Sequence, residues 1–261
     1  HNDVVYVRID RLRKFPVILL FKALGYTDDD ILSYFYHTEK VFIKNEKFVR
    51  KLNPEFLKGE RPGEDIVHPE TGEVLVRKGR MITKRAIRQL QAAGMEHVPM
   101  TTDELQQRVI ASDVLHPETG EVIARSNDPV EPDLLEQMAG AGVEWFELLV
   151  MEGPFTGQSI RKTLLLDKAK TKEEALIDIY RRLRPGNPVT AEVAQDFVDH
   201  LFFKTAYYDL SSVGRLKLNH RLNIDTPLDM RTLRREDILQ TARILVELRD
   251  TQGAVDDIDH L

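Results

Sequence analysis

The chain has 261 residues, 42% of them hydrophobic and 31% charged, with a net charge of −6. That length suits one large domain or two ordinary ones, and the composition is too apolar for a disordered chain. The sequence holds no cysteine, which removes disulfides, thiolate metal sites and sulfur redox chemistry.

No run approaches the roughly 18 apolar residues of a membrane span. The opening HNDVVYV lacks the charged-then-apolar order of a secretion signal, so a cytoplasmic location is expected. The charge is uneven. Residues 37–156 hold 15 basic and 21 acidic residues, and the rest balances. Within that middle, 37–100 carries 13 basic against 9 acidic residues, whereas 101–156 carries 2 against 12. The second half repels nucleic acid and suits a basic partner surface.

In chain order, Val5, Val7 and Ile9 alternate with Tyr6, Arg8 and Asp10, which predicts a strand with one apolar face. Arg11, Arg13, Lys14 and Pro16 follow, then an apolar segment from Val17 to Leu24 closed by Gly25. Thr27 and Asp30 predict a capping box for a helix bearing Ile31, Leu32 and Phe35. At about His37 the pattern changes.

Residues 65–100 match residues 113–148 without a gap, with thirteen identities in thirty-six positions. Duplication of one folding unit explains that better than chance. Each copy reads as a short strand, a His-Pro-Glu-Thr-Gly turn, a second strand, a helix and a last strand. In the first copy Thr83 caps the helix, Ile87 and Leu90 line it and Gly94 ends it. In the second, Pro132 opens the helix and Leu135 and Met138 line it. After Phe155 the helical style resumes. Thr171 and Glu174 predict another capping box, with Leu176, Ile179, Tyr180 and Leu183 at helical spacing until Arg184-Pro185-Gly186. A second helix starts near Thr190 with Val193, Phe197 and Leu201 inward, and a last one carries Ile238, Ala242 and Leu245.

Motif chemistry is sparse. The sequence has no Walker loop, G-x-G-x-x-G, G-x-S-x-G or H-E-x-x-H. His68 and His116 each precede a glutamate by two residues, as in zinc deaminases, but those enzymes need a P-C-x-x-C that is missing here. The hairpin-turn reading of both histidines is preferred, and a hydrolase built on either of them is the weakest reading. Asp256, Asp257 and Asp259 form an acidic run that is expected to be solvated rather than metal-binding. Arginine and lysine cluster at 181–184, 215–221 and 231–235, as phosphate contacts or as solvated helix ends. Tyr207 and Tyr208 offer rings for base stacking or for core packing.

The flanking segments VRIDRLRKFP (7–16), LGYTDDDIL (24–32), YRRLRPGNP (180–188), YDLSSVGRLKLNHRL (208–222) and VDDIDHL (255–261) occur in an order that resembles the β subunit of bacterial DNA-directed RNA polymerase. The resemblance implies an α+β chain: a mostly helical lobe with an inserted domain made of two tandem β-rich repeat modules. The lobe would comprise 1–36 and 157–261, and the lineage-specific insertion 37–156, with repeats at 65–100 and 113–148. It also implies a non-catalytic fragment lining the DNA channel, without cofactors. Its partners would be the polymerase subunits β′, α and ω, the sigma factor, secondary-channel regulators of the DksA type, and DNA.

By the same resemblance Arg11, Arg13, Lys14 and Arg184 approach the non-template strand, and Asp257, Ile258 and Asp259 help form a guanine pocket. The sequence departs from the family pattern at Leu12 and Tyr207. The acidic second module makes Glu131, Asp133 and Glu136 the expected docking residues. A free-standing nucleic-acid adaptor is the alternative.

Overall fold

The computed structural model describes residues 3–9, 13–106, 108–151 and 157–251. The chain divides into two bodies, one of residues 1–31 with 153–261 and the other of residues 32–152. The first begins with a minimal ladder, β1 (Tyr6–Val7) against β2 (Phe15–Pro16), antiparallel with Val7 opposite Phe15. The expected alternation holds around it, with Val5, Val7 and Ile9 half-buried and Tyr6 and Arg8 exposed. Pro16, at φ −56°, leads into α1 (Val17–Ala23), which is buried on every side. An all-round apolar helix belongs in a core.

The exception in α1 is Lys22, whose Nζ finds three acceptors: Asp28 and Asp167 at 2.9 Å each and the Ala169 carbonyl at 2.7 Å. Burial alone pushes this ammonium toward neutrality, but its bonds to Asp167 and Asp28 outweigh that and raise its pKa above the usual lysine value. α2 (Asp28–Phe35) opens with the full capping box, Asp30 N–H donating to Thr27 Oγ1 at 3.1 Å and Thr27 N–H to Asp30 Oδ2 at 2.9 Å.

The second body is built on a four-stranded antiparallel sheet in the order β10-β3-β4-β7. In chain order its elements are β3 (His37–Lys44), β4 (Lys47–Lys51), α3 (Pro54–Leu57), β5 (Ile66–Val67), β6 (Val74–Val76), α4 (Lys84–Ala92) and β7 (His97–Met100). Then come α5 (Thr102–Leu105), β8 (Val114–Leu115), β9 (Val122–Ala124), α6 (Pro132–Gly140) and β10 (Trp145–Val150). The β3–β4 hairpin turns on Asn45 and Glu46, both left-handed at φ 49° and 61°, the geometry whose twist suits a two-residue loop.

β5–β6 and β8–β9 form two small hairpins with the same register shift at their first strand. Matching hydrogen bonds recur 48 positions apart. Lys78 N–H donates to Asp65 Oδ1 at 2.7 Å and Ser126 N–H to Asp113 Oδ1 at 2.8 Å. Gly79 N–H reaches the Pro62 carbonyl, and Asn127 N–H the Ile110 carbonyl, at 2.8 Å each.

After Gly157 the first body continues with α7 (Ser159–Leu166), α8 (Lys172–Leu183), α9 (Ala191–Phe202), α10 (Ser211–Leu222) and α11 (Arg235–Thr251). Phe15, Leu19, Leu20, Ala23 and Leu24 pack with Ala175, Leu176, Ile179 and Leu183 of α8 and with Ala194 and Val198 of α9. Thr171 caps α8 through Glu174 N–H, but the Glu174 carboxylate reaches back to Lys170 N–H, one residue beyond the N-cap N–H of a reciprocal box.

One inward expectation fails, and one apolar residue read on the last helix faces outward. Val193 is 45% exposed and Leu245 58% exposed, while Ala194, Val198 and Val246 take the buried positions. In α9 the buried stripe is set one residue later, by small and β-branched side chains that let α8 approach. α10 is inverted: it buries Arg215, Asn219 and Leu222 and exposes Val213 and Leu216. Overall the fold mixes helices with small sheets.

Candidate nucleic-acid and docking faces

The cations of the first body fall into two groups. Arg215 is 0% exposed and fully committed: Nη1 bonds Asp237 at 2.8 Å, Nε bonds the Met230 carbonyl at 2.9 Å, and Nη2 bonds the Thr232 carbonyl. It therefore locks the connection from α10 to α11 and cannot meet a phosphate. Arg182 pairs with Asp178 on its own helix, Arg231 with Asp209 and Arg249 with Asp3. Arg234 sits 3.4 Å from Asp237, and Arg235 donates to the Leu24 carbonyl at 3.1 Å. Of the 215–221 and 231–235 clusters, Arg215, Arg231 and Arg234 are committed to carboxylates, while Arg235 gives only Nη1 to a carbonyl and keeps its charge unpaired among the described residues.

Arg13, Lys14 and Arg184 behave differently. All three are exposed and none forms an ion pair among the described residues. Lys14 Nζ lies 4.6 Å from the centre of the Tyr6 ring, and the Arg184 guanidinium lies 5.5 Å from that of Phe197, itself held edge-on by Tyr180. An aromatic face fixes a cation without neutralising it, leaving its N–H groups available for phosphate oxygens. Arg184 is placed there because α8 ends at Leu183, where Pro185 follows and Gly186 takes φ +90°. Tyr207 is 68% exposed with its ring edge-on to His200, open for stacking, whereas Tyr208 is half-buried and its hydroxyl pKa is raised, first by burial. Arg11, Asp257, Ile258 and Asp259 lie outside the described residues.

In the second body, Glu131, Asp133 and Glu136 are exposed on or beside α6, while Leu135 and Met138 are buried beneath it. Glu131 occupies the N-cap and Asp133 the first turn, where carboxylates suit the helix dipole. The face therefore keeps its negative charge at little structural cost.

His68 and His116 have turn roles. Nδ1 of His68 accepts Glu70 N–H at 3.1 Å and Thr71 N–H at 3.4 Å, and Nδ1 of His116 accepts Glu118 N–H at 3.2 Å and Thr119 N–H at 3.3 Å. Among the described residues no group of three or more His, Asp or Glu side chains is placed to hold a metal ion. No helix of the described residues is long and apolar enough to cross a membrane.

One charged centre had no signal in the sequence. Arg50, 3% exposed on β4, faces Glu39 at 3.3 Å and also bonds Glu60, whose other oxygen takes Arg108 at 2.8 Å. Glu39 lies 11 positions before Arg50 and Glu60 10 after it, spacings that match no single helix or strand, and Arg108 is 48 from Glu60, so no local pattern marks the centre.

Comparison with known proteins places the chain among the large subunits of multisubunit RNA polymerases. Residues 158–261 match the family model for domain 2 of the RNA polymerase subunit Rpb2. Over its whole length the chain is similar to DNA-directed RNA polymerase β subunits. It is 57% identical over 260 residues to that of Desulforapulum autotrophicum, 52% over 261 to that of Syntrophobacter fumaroxidans and 51% over 261 to that of Geobacter sulfurreducens. The chain belongs to this β-subunit family and spans 18–19% of the length of those relatives.

Proposed function

We propose that the chain serves as the DNA-channel lobe of an RNA polymerase β subunit, with residues 37–156 inserted in it as two tandem modules that dock regulators. The observation that carries this reading is the exposed set Arg13, Lys14 and Arg184, without carboxylate partners among the described residues, in a chain matched from end to end by β subunits. Such cations suit phosphates of the non-template strand, and Arg11 joins them by resemblance. Asp257, Ile258 and Asp259 would contribute to a guanine pocket, where one carboxylate accepts the two adjacent N–H donors on the Watson–Crick edge of an unstacked base. Catalysis belongs to other parts of the polymerase, and the chain's own work is to hold DNA. Its partners in that assembly are the β′, α and ω subunits and the sigma factor.

The test is a polymerase reconstituted with β carrying Arg13→Gln, Lys14→Gln and Arg184→Gln, singly and together. Each lost contact should lower the salt slope of open-complex formation by about 0.7 if the phosphate belongs to a single strand. An unchanged slope in the triple variant removes the DNA half of the proposal.

The acidic face of α6 supports the docking half. Glu131→Gln, Asp133→Asn and Glu136→Gln together should weaken binding of a secondary-channel regulator of the DksA type to holoenzyme, and unchanged affinity would remove that half alone.

A further inference from the structure

A cavity of about 390 Å³ opens in the first body where the starts of α8 and α11 face the end of α1. That volume falls within the range of roughly 300–1,000 Å³ typical of small-ligand sites. Its walls divide by chemistry. Lys172 and Arg235 converge at one side: a Cβ placed on Gly25 would lie 3.5 Å from Arg235 Nη1 and 3.9 Å from Lys172 Cδ. Gly25 itself sits at φ +95°, a conformation that L side chains rarely adopt, so no side chain from this position crowds the two cations. Leu24 and the half-buried Phe203 ring supply an apolar wall. Opposite charge and hydrogen-bonding capacity come from Asp199 and Gln195, joined by a 2.8 Å bond from Gln195 Nε2 to Asp199 Oδ1. That bond leaves the second carboxylate oxygen and the amide oxygen as acceptors.

We infer that this cavity binds a nucleoside monophosphate unit, with its phosphate on Lys172 and Arg235, its base against Phe203 and Leu24, and the amino groups of the base toward Asp199 and Gln195. Each wall matches one part of that ligand. A phosphate prefers paired cations, a base prefers an aromatic or apolar face, and exocyclic amines need acceptors. The charge balance fixes the number of phosphates. Arg234 also lines the cavity but is paired with Asp237, and Glu236 stands beside it, so the net positive charge is small and suits one phosphate rather than three. The ligand is either a free nucleotide or one nucleotide of a single strand, since both present the same groups. The site is separate from Arg13, Lys14 and Arg184, and it stands or falls independently of them.

The experiment is an amide chemical-shift titration of the full 261-residue chain with dAMP, with inorganic phosphate and with a four-nucleotide single strand. Saturable shifts at Gly25 and Phe203 with dAMP, tighter than with phosphate, are the expected result. Lys172→Gln and Arg235→Gln should each weaken dAMP about tenfold, the worth of one charge-assisted hydrogen bond. Arg235→Lys should recover part of the loss, which a merely unfolded variant would not. Lys168→Gln, an exposed lysine outside the cavity, and the Arg13, Lys14 and Arg184 variants should leave dAMP binding unchanged. Tighter binding of the tetranucleotide assigns the site to a strand, and equal binding assigns it to a free nucleotide. Phosphate binding as tightly as dAMP, or wild-type affinity in both Lys172→Gln and Arg235→Gln, overturns the inference.

Discussion

Residues 53–100 and 101–148 bury the same positions with different side chains. Leu57, Ile66, Val76, Ile82, Ile87, Leu90 and Val98 form one core, and Leu105, Val114, Ala124, Val130, Leu135, Met138 and Phe146, each 48 positions on, belong to another. The second core also takes in Val41, Phe48, Met100 and Leu148 of the four-stranded sheet, whereas the first core reaches that sheet through Val98 of β7. Between the two segments, Glu60 bonds Arg108, the residue 48 positions on. Arg50, which precedes both segments, bonds the same Glu60 and lies opposite Val98 in the antiparallel β4–β7 pair. In a contact between equivalent positions, identical residues would confront each other. Two glutamates or two arginines would repel; Glu60 and Arg108 attract. The two segments share hairpin registers and hydrogen bonds while differing in charge at this contact.

The largest break in this relation comes at Arg50. Arg50→Ala leaves Glu39 buried without a cation and Glu60 with Arg108 alone, and should cost about 3–5 kcal/mol in urea unfolding. Val98→Ala, directly across the β4–β7 pair, removes only apolar contact and should cost about 2 kcal/mol. Equal costs would mean that Arg50 acts merely as filler. Next in size, Leu90→Ala and Met138→Ala should each cost roughly 2–5 kcal/mol, because both are fully buried. Since they sit in separate clusters, the double variant should add within about 0.5 kcal/mol. Strong coupling would show that the two cores are one.

Much of this was legible in the sequence, and the limits have physical causes. The His-Pro-Glu-Thr-Gly hairpins stood out because His68, Thr71 and Gly72, and likewise His116, Thr119 and Gly120, make the turn's own bonds or supply its positive φ. The repeat also reaches back through α3 and α5, yet residues 53–64 and 101–112 share only Leu57 and Leu105. That equivalence is carried by backbone bonds, such as Ile82 N–H to the Glu60 carbonyl and Val130 N–H to the Arg108 carbonyl, which tolerate almost any side chain. The β3–β4 turn was hidden because a glutamate, not a glycine, holds φ 61°. At the proposed DNA face, the basic residues could be read but not sorted: Arg215 is committed by Asp237, 22 positions away, and by two carbonyls. An apolar-periodicity rule also misreads α10, which buries Arg215 and Asn219 beside Leu222.

A subtler test uses acid. Burial pushes the Glu60 carboxyl upward, but the hydrogen bonds and charges of Arg50 and Arg108 overcome it and hold the group below its ordinary value of 4.5. The stabilisation is therefore fully present above that value and is lost as pH falls through the lower folded value. Glu60→Gln should unfold more easily at neutral pH and show a flatter decline of stability in acid. If the wild type and the variant decline in parallel below pH 4.5, Glu60 does not tie the copies together.

The smallest effect concerns one backbone position filled in two ways. Gly79 has φ +70° and Asn127 has φ +71°, and both donate their N–H to the same carbonyl position of their copy. A Cβ on Gly79 would meet nothing within 4 Å, so Gly79→Ala isolates the left-handed strain and should cost about 1–2 kcal/mol. Asn127→Gly relieves that strain and gives up a side chain whose buried Oδ1 has no hydrogen-bond partner. It should therefore change stability by only about a few tenths of a kcal/mol, since added unfolded-state freedom offsets the relief. Gly79→Asn should fall between the two, because asparagine tolerates this conformation better than alanine. Thermal unfolding of the three variants orders them; Gly79→Asn as costly as Gly79→Ala would mean that the two copies hold this turn by different means despite the shared φ.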